Sequence, residues 1–296
     1  MITPPGWELY RSFLAVIQEG SLSGAARSLA LTQPTIGRHV DALEQALGIA
    51  LFTRSQNGLS PTAAALDLMP HAEAMAASAE ALIRAASGEA GEARGVVRLT
   101  APVLLGVEVL PPILTRFHEQ HPGIVLELAL TNRTEDLLRH EADLAVRMVQ
   151  PTQGALVAKR IGTTRIALYA RRRYIETHGL PTDLDQMRRH TVIGFDRSIA
   201  PLRGLGELAV PITRETFAFR CDNELAQLAA LRAGYGIAVC HLAIAARDPE
   251  LMPVLHDKLM FELDIWIVMH EDLRASRRVR LIFDHLVEHL TVFVGR

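Results

Sequence analysis

The chain has 296 residues, of which 49% are hydrophobic and 22% charged, and its formal net charge is -2. That length accommodates two or three domains with their own cores, and the balanced charge excludes a strongly basic or acidic protein. Because no stretch reaches about 18 uninterrupted apolar residues, no signal peptide opens the chain and its cysteines form no CxxC motif, we expect a cytoplasmic protein without a membrane span or disulfide framework.

The first predicted element is a helix over Trp7–Gln18. Its apolar residues recur at helical spacing and form one face that we expect to be buried. These residues are Leu9, Phe13, Val16 and Ile17. The helix would support the pair of helices that follows it in the chain.

Residues 21–47 predict two short helices joined by a tight turn, which together make a helix-turn-helix. Ser23 is the expected N-cap of the first helix, which would span Gly24–Leu29. Thr32 is the expected N-cap of the second helix. Pro34 falls in the first turn of that helix, where a missing backbone N–H costs little.

The second helix would run to Leu47, where Gly48 ends it. Its apolar residues Ile36, Val40, Leu43 and Leu47 share one stripe, which leaves the N-terminal end polar and exposed. In a helix-turn-helix that end enters the major groove and contacts base edges. We therefore assign DNA contacts to Ser23, Thr32, Gln33, Pro34, Thr35 and Arg38.

Each of these residues has an expected role. Gln33 suits a bidentate contact to adenine, and Arg38 suits guanine or a phosphate. Thr35 would contact base edges, whereas Ser23 and Thr32 would act through helix caps or phosphates. The alternative is an ordinary helical pair that packs in a core and contacts no DNA.

Beyond Gly48 the sequence predicts a two-stranded wing. Its strands are Ala50–Thr53 and Leu59–Pro61, and the Asn57-Gly58 pair favours a tight turn between them. Arg54 would reach a phosphate or a narrow minor groove, although a solvated loop residue is the alternative. Residues 1–62 carry four arginines and four acidic residues. Placed arginines, helix N-termini and a second subunit must therefore supply any attraction for DNA.

A long alanine-rich helix follows, capped by Thr62 and reaching to about Ser87. Large and small residues alternate in heptads along it, which predicts a seam that pairs with the same helix of a second subunit. The seam consists of Leu68, Ala72, Met75, Ala79, Leu82 and Ala86. Pro70 should bend this helix or split off its first turns. The alternative is a helix packed on its own chain, and Ser87–Gly95 is predicted to be a hinge.

From Val96 onward, short strands alternate with helices, which predicts a mostly parallel sheet. The predicted strands are Val96–Thr100, Ile124–Leu130, Leu144–Met148, Arg165–Ala170, Thr191–Phe195, Phe217–Arg220, Ile237–Cys240 and Ile265–Met269. The predicted helices are Val107–His118, Glu135–Arg139, Asn223–Ala233 and Ser276–Leu290.

Ligands bind open parallel sheets beyond the carboxyl ends of the strands. That rule nominates Thr100, Pro102, Val103, Thr131, Asn132, Arg147, Phe195, Asp196, Gly234 and Tyr235. Helix N-termini at the first two strands would offer N–H groups to an anion, so we expect a small anionic or polar ligand. Two alternatives stay open: Thr131 and Asn132 as a plain helix cap, and Arg147 in an ion pair with Asp143 or Glu141.

The N-terminal motifs closely resemble those of LysR-type transcriptional regulators. The matching residues are Gly20-Ser21, Ala25-Ala26, Leu29, Thr32-Gln33-Pro34, Arg38, Leu43-Glu44, Leu47-Gly48, Leu51-Phe52 and Arg54. The resemblance extends to the downstream organisation and so covers essentially the whole chain. It implies a regulator whose binding to double-stranded promoter DNA responds to a small-molecule effector, and which assembles through its linker helix into a dimer and then a tetramer.

The fold class implied is α/β overall. An all-α winged helix-turn-helix and a long linker helix would precede a two-lobed α/β effector domain like that of a periplasmic binding protein. The expected bounds are 1–62 for the DNA-binding domain, 63–94 for the linker helix and hinge, 95–162 with 266–296 for lobe I, and 163–265 for lobe II. One departure from the family is Ala101-Pro102, where many relatives carry a serine or threonine after the first strand.

Other classes of protein fit less well. The chain has no GxSxG, P-loop or HExxH motif, so we expect no enzyme, no metal site and no cofactor. A thiol-based redox sensor would need Cys221 or Cys240 to have a lowered thiol pKa, and nothing in the sequence indicates one. A small-molecule binding protein without a DNA role would leave the winged helix unexplained.

Overall fold

A computed structural model describes residues 4–55, 58–86, 93–132, 142–151, 156–197 and 213–295. Internal contacts divide the described residues into two units, one up to Ala86 and the other from residue 93 onward. Most of the predicted hinge, together with Asn57 and the predicted helix Glu135–Arg139, lies outside the described residues.

The N-terminal unit is a winged helix followed by a long helix. Its elements are α1 (Trp7–Glu19), α2 (Leu22–Ser28), α3 (Gln33–Leu47), β1 (Phe52–Ser55), β2 (Gly58–Pro61) and α4 (Ala63–Ala86). The helices α1, α2 and α3 contact one another. Phe13, Val16 and Ile36 are at most 1% exposed in their core, as the helical spacing predicted. Ala25 is also fully buried, because only a small side chain fits where α2 approaches its neighbours.

The helix caps agree with the prediction except at α2. Thr32 caps α3 by accepting from the Thr35 N–H, and Gly48 ends the helix in the left-handed region at φ 70°. Ser23 was expected to cap α2, but Ser21 does so, and its hydroxyl accepts from Gly24 N at 3.1 Å. Helix formation begins two residues earlier because Ser21 is the residue with extended backbone geometry, which an N-cap requires.

The two halves of the long helix α4 lie in different environments. Thr62 caps it through a hydrogen bond from Ala65 N, and the helix continues through Pro70 without being split. Leu68 and Ala72 pack on the core of their own unit, so the predicted seam is not one uniform stripe. Farther along, the exposed apolar side chains are Met75, Leu82 and Ile83. The first half of the helix therefore belongs to the winged domain, and the second half presents apolar side chains.

The second unit contains a mixed sheet with helices packed on it. Its first elements are β3 (Gly95–Ala101), α5 (Val103–Glu108), α6 (Leu110–Gln120), β4 (Ile124–Leu130), β5 (Leu144–Arg147), β6 (Leu156–Arg171), α7 (Arg172–His178), α8 (Leu184–Met187) and β7 (Ile193–Gly194). The later elements are β8 (Phe219–Arg220), α9 (Glu224–Arg232), β9 (Ile237–His241), α10 (Leu242–Ala245), β10 (Leu251–Val254), β11 (Met260–His270) and α11 (Arg277–Val294).

The expectation of a mostly parallel sheet was wrong. Strand β3 is parallel to β4 and β5, and β7 is parallel to β8. The long strands β6 and β11, however, pair antiparallel along their whole shared length, and β9, β10 and β5 also pair antiparallel with one of them. The sequence pattern showed only part of each long strand, because their less apolar halves lack a run of buried residues.

An irregularity interrupts the two long strands. The register between β6 and β11 shifts between Ile265, which lies opposite Gly162, and Trp266, which lies opposite Arg160. A bulge of this kind bends a strand and increases its twist. It falls where the sequence predicts the chain to pass between lobes I and II.

The predicted helix Val107–His118 is in fact two helices. Helix α5 ends at Glu108, and α6 begins at Leu110 with Pro111 in its first turn. A proline in the interior of a continuous helix would remove a hydrogen bond and clash with the preceding turn, so the chain restarts there. None of the helices in the described residues is long and apolar enough to cross a membrane.

A buried histidine gives the second unit a pH-dependent stability. His241 is 4% exposed, and its Nδ1 lies 3.3 Å from the hydroxyl of the buried Thr164. Burial lowers the pKa of His241 to about 4. The unfolded chain takes up this proton near pH 6.5 and the folded chain does not, so stability is complete above that pH and is lost as the pH falls towards 4.

We expect the free energy of unfolding of the second unit to fall by about 2 kcal/mol from this group between roughly pH 7 and pH 5. Urea titrations at the two pH values measure it, with His241→Asn expected to flatten the dependence. His118→Asn, at an exposed position, serves as the control. An equal pH dependence in the wild type and His241→Asn would contradict the assignment.

Candidate functional site

The N-terminal turn of α3 presents a polar surface. Thr32, Gln33, Pro34 and Arg38 are exposed there, and Thr35 is half-buried. The apolar residues of α3 point the other way, into the core. The structure therefore brings together the residues of α3 that the sequence nominated for DNA contact.

Hydrogen bonds hold these side chains in place. Ser23 Oγ donates to Gln33 Oε1 at 3.0 Å, so α2 orients the first residue of α3. The Thr32 and Thr35 hydroxyls are 2.8 Å apart, and Arg38 donates to Thr35 Oγ1 and to Pro34 O at 3.4 Å each. An amide oxygen has a second lone pair, and its NH₂ group has two donors, so Gln33 keeps the capacity for a bidentate contact.

The wing forms as a two-stranded antiparallel ribbon. Strands β1 and β2 pair from Phe52 opposite Pro61 to Ser55 opposite Gly58. Arg54 lies in β1, opposite Leu59. Its predicted contact with DNA stays a prediction.

Glu44 anchors the base of the wing, a role that sequence reasoning missed. Its Oε1 accepts from Leu51 N at 2.6 Å and from Phe52 N at 3.1 Å. Leu51 is fully buried, so its N–H has no access to water. No periodicity predicts such a contact, because it joins a half-buried side chain of the helix to backbone groups 7 and 8 residues farther along the chain.

We expect Glu44→Ala to destabilise the winged domain by about 2 kcal/mol, because two backbone N–H groups lose a charged acceptor. Chemical denaturation followed by the circular dichroism of the full chain measures this loss. Asp41→Ala, which removes an exposed carboxylate from the same helix, should change the stability little. Equal stability of the two variants would show that the Glu44 contact contributes nothing.

Polar side chains also meet at the carboxyl ends of β3, β4 and β5. Arg147 is 5% exposed, and its guanidinium donates to Thr100 Oγ1 at 3.4 to 3.5 Å and to Val146 O at 3.0 Å. Asn132 Oδ1 accepts from Val103 N at 3.1 Å, which ties the end of β4 to the start of α5. Asp143 lies instead at the amino end of β5, where it accepts from Arg98 N. Thr100, Val103, Asn132 and Arg147 therefore share one edge, as the parallel arrangement of these strands predicted.

Helix α9 packs against this edge through contacts with α5. At its start, the Asn132 side chain hydrogen-bonds to the Glu224 carboxylate. At its end, Arg232 binds both oxygens of Glu108 at 2.7 and 2.9 Å. The hydrogen bond from Arg232 lowers the pKa of the Glu108 carboxyl. The two helices thus run side by side in the same direction, and Glu224, Glu108 and Arg232 were not among the residues that the sequence nominated.

Pro102 is the N-cap residue of α5, and Thr131 N donates to Ala101 O at 2.9 Å, so both belong to the same edge. The other four nominated residues divide between two places. Asp196 N donates to Asp222 Oδ1, and its carboxylate accepts from Arg214, so Phe195 and Asp196 lie beyond the carboxyl end of β7 as expected. Gly234 and Tyr235 do not, because they connect the end of α9 to the amino end of β9. The carboxyl-end rule therefore does not support these two residues, and their contact with a ligand stays a prediction.

The two cysteines differ in their surroundings. Cys240 is buried in the core, and burial raises the pKa of its thiol to about 12. Since the thiolate is the reactive form, this environment argues against Cys240 as an oxidant sensor. Cys221 is half-buried, and its carbonyl oxygen accepts from the Gln227 amide.

Comparison with known proteins places both units in one family. Residues 7–66 match the bacterial regulatory helix-turn-helix protein family of lysR type, and residues 90–291 match the LysR substrate binding domain. A transcriptional regulator of Xanthomonas campestris pv. campestris is 33% identical over 186 residues, covering 63% of this chain and 54% of that protein. The probable regulator LtrA of Klebsiella pneumoniae is 26% identical over 93% of this chain and 92% of its own length.

Solved structures share the fold. CrgA of Neisseria meningitidis, described as a LysR-type transcriptional regulator, superposes with a TM-score of 0.62 at 23% sequence identity. The match covers 96% of this chain and 98% of that chain. The winged helix and the α/β effector domain are therefore the architecture of this group of proteins.

Proposed function

The chain belongs to the LysR family of transcriptional regulators, and on that premise we propose that it binds promoter DNA through the N-terminal end of α3 while an effector bound in the second unit modulates that binding. Members of the family combine a helix-turn-helix domain with a substrate-binding domain, as this chain does. The DNA is double-stranded, and the regulator would act in the cytoplasm, where that DNA lies.

The observation that carries the proposal is the exposed and hydrogen-bonded turn at the start of α3. Without DNA, Ser23 already donates a hydrogen bond to Gln33, and Thr35 already accepts one from Arg38. Side chains that are already ordered lose less conformational entropy on binding. We propose that Gln33 and Thr35 contact base edges and that Arg38, Arg54 and the caps contact guanine or phosphate.

Two copies of the domain are needed for firm binding. The winged domain carries no net positive charge, so one copy attracts DNA weakly. The exposed apolar side chains Met75, Leu82 and Ile83 on α4 support pairing of this helix with that of a second subunit. We propose a dimer through α4 and, by the resemblance to the family, a tetramer of paired dimers.

The effector site that we propose is the cleft between the predicted lobes. The polar edge formed by Thr100, Val103, Asn132 and Arg147 supports it, and Asp196 adds a polar group from the other lobe. Pro102, Thr131 and Phe195 complete the proposed surface. A bound ligand would bias one arrangement of the lobes and so change DNA binding.

The test is the binding of the full chain to a labelled duplex of its own upstream intergenic DNA, titrated with salt beside a shuffled duplex. Specific binding with a steep salt dependence is the expected result, since phosphate contacts release counterions. Equal and weak binding to both duplexes, or none at low salt, would refute the proposed role of α3 at this site.

A further inference from the structure

Glu224, in the first turn of α9, has a carboxylate of which one oxygen lacks a hydrogen-bond partner among the residues that the structure describes. Asn132 Oδ1 is engaged by Val103 N, so the Asn132 NH₂ group is the donor to Glu224. The other oxygen, Glu224 Oε2, is buried and has no hydrogen-bond partner in the described part of the chain. Burial raises the pKa of the Glu224 carboxyl, whereas the Asn132 bond opposes that rise.

The cap of α9 does not depend on this carboxylate. Asn223 already caps α9, accepting from Leu225 N and Ala226 N. The inward face of the helix continues with Leu228 and Leu231, which are 5% and 0% exposed. A buried acceptor without a partner costs free energy, and an apolar residue would avoid that cost. A costly group that neither caps nor packs is typical of a binding site, where a ligand supplies the missing partner.

The position of Glu224 agrees with this interpretation. Its partner Asn132 follows β4, and Asn132 in turn holds the start of α5 after β3. Glu224 therefore lies at the edge where ligands bind open α/β sheets. Arg147 and Thr100 lie on the neighbouring strands of the same edge.

We propose that Glu224 is an effector-binding residue and that its free oxygen accepts a hydrogen bond from an amine or hydroxyl group of the effector. The assignment rests on the proposed function, because it places the effector in the cleft between the lobes. With Glu224 in the site, we expect an effector that carries an amine or hydroxyl group, whereas the sequence alone suggested an anionic or polar ligand. A ligand whose sole polar group is a carboxylate would be repelled by Glu224, whereas an ammonium group would gain both a hydrogen bond and charge attraction.

The test compares three compounds with one carbon skeleton: pentylamine, pentanol and pentanoate. Thermal unfolding of the full chain is recorded with each compound at equal millimolar concentration. We expect pentylamine to raise the melting temperature of the wild type by a few degrees and pentanoate to leave it unchanged. Glu224→Gln should lose most of the response to pentylamine, and Glu176→Gln, at an exposed position, should keep it.

Ligand-free protein supplies a second readout. Glu224→Gln should melt at least as high as the wild type, because the amide removes a buried charge whose second oxygen is unpaired. A lower melting temperature would make Glu224 a structural residue and overturn the proposal. It would also be overturned if the wild type and Glu224→Gln responded alike to pentylamine, or if pentanoate stabilised the wild type as strongly as the amine did.

Binding to the upstream duplex is measured for the same proteins without any compound. If the wild type binds the duplex specifically but pentylamine does not change its melting temperature, the Glu224 assignment is refuted and the proposed role as a regulator stands. Loss of DNA binding in every protein, with the pentylamine response retained, would refute the proposed DNA site alone.

Discussion

Gln33→Ala is expected to reduce specific binding to the operator by roughly 5- to 150-fold, because a bidentate contact to adenine contributes about 1–3 kcal/mol of discrimination. Gln33 is exposed at the first position of α3, and Ser23 holds its amide oxygen at 3.0 Å. Binding to a shuffled duplex should change little, since phosphate contacts do not depend on Gln33. Fluorescence anisotropy with both duplexes at one salt concentration measures the difference.

The matched control is Gln45→Ala. Gln45 is an exposed glutamine of the same helix, beyond the polar N-terminal turn. Its truncation should leave the affinities for both duplexes unchanged. An equal loss in the two variants, or a loss that is as large on the shuffled duplex as on the operator, would contradict base recognition by Gln33.

Leu231→Ala should destabilise the second unit by about 2–5 kcal/mol, the range for truncation of a buried leucine. Leu231 is fully buried in the main core of this unit. It lies on α9 between Glu224, which meets Asn132, and Arg232, which binds Glu108 at 2.7 Å. Loss of the leucine therefore removes packing where α9 meets the main core of the unit.

Differential scanning calorimetry measures this effect, with an expected fall in melting temperature of several degrees or more. Leu231→Met nearly conserves the volume, so it should cost less than about 1.5 kcal/mol. If Leu231→Ala and Leu231→Met melted at the same temperature, α9 would contribute little to the stability of the unit. The winged domain should keep its own transition in both variants, because the residue is not part of its core.

The short-range features of the DNA-binding domain were predictable because each depends on a few neighbouring residues. Thr32 caps α3 and Gly48 ends it through contacts within one turn of the helix. The spacing of Ile36, Val40 and Leu43 identifies the buried face without knowledge of what covers it. The cap of α2 could not be predicted in this way, because Ser21 and Ser23 have the same side chain and either could cap a helix. The helix begins at the one whose backbone is extended.

In the effector domain the sequence identified most strands but not their pairing. The antiparallel pairing of β6 with β11 joins residues about a hundred positions apart, and no pattern within either strand reveals its partner. The carboxyl-end rule was misapplied to Gly234 and Tyr235 for a different reason. They lie between the predicted helix Asn223–Ala233 and the predicted strand Ile237–Cys240, so the order of elements along the chain already put them at the amino end of a strand, where the rule does not apply.

By itself the amino-acid sequence determined the family, the winged helix-turn-helix, the residues exposed on α3 and most of the α/β elements, since these follow from caps, periodicity and motif spacing. Only the tertiary structure decided which distant side chains meet. Glu44 at the wing, Glu108 with Arg232, and Asn132 with Glu224 are contacts between residues that no local rule connects. The physical reason is that periodicity reports which side of an element is buried, whereas the partner of a buried polar group depends on the packing of the whole chain.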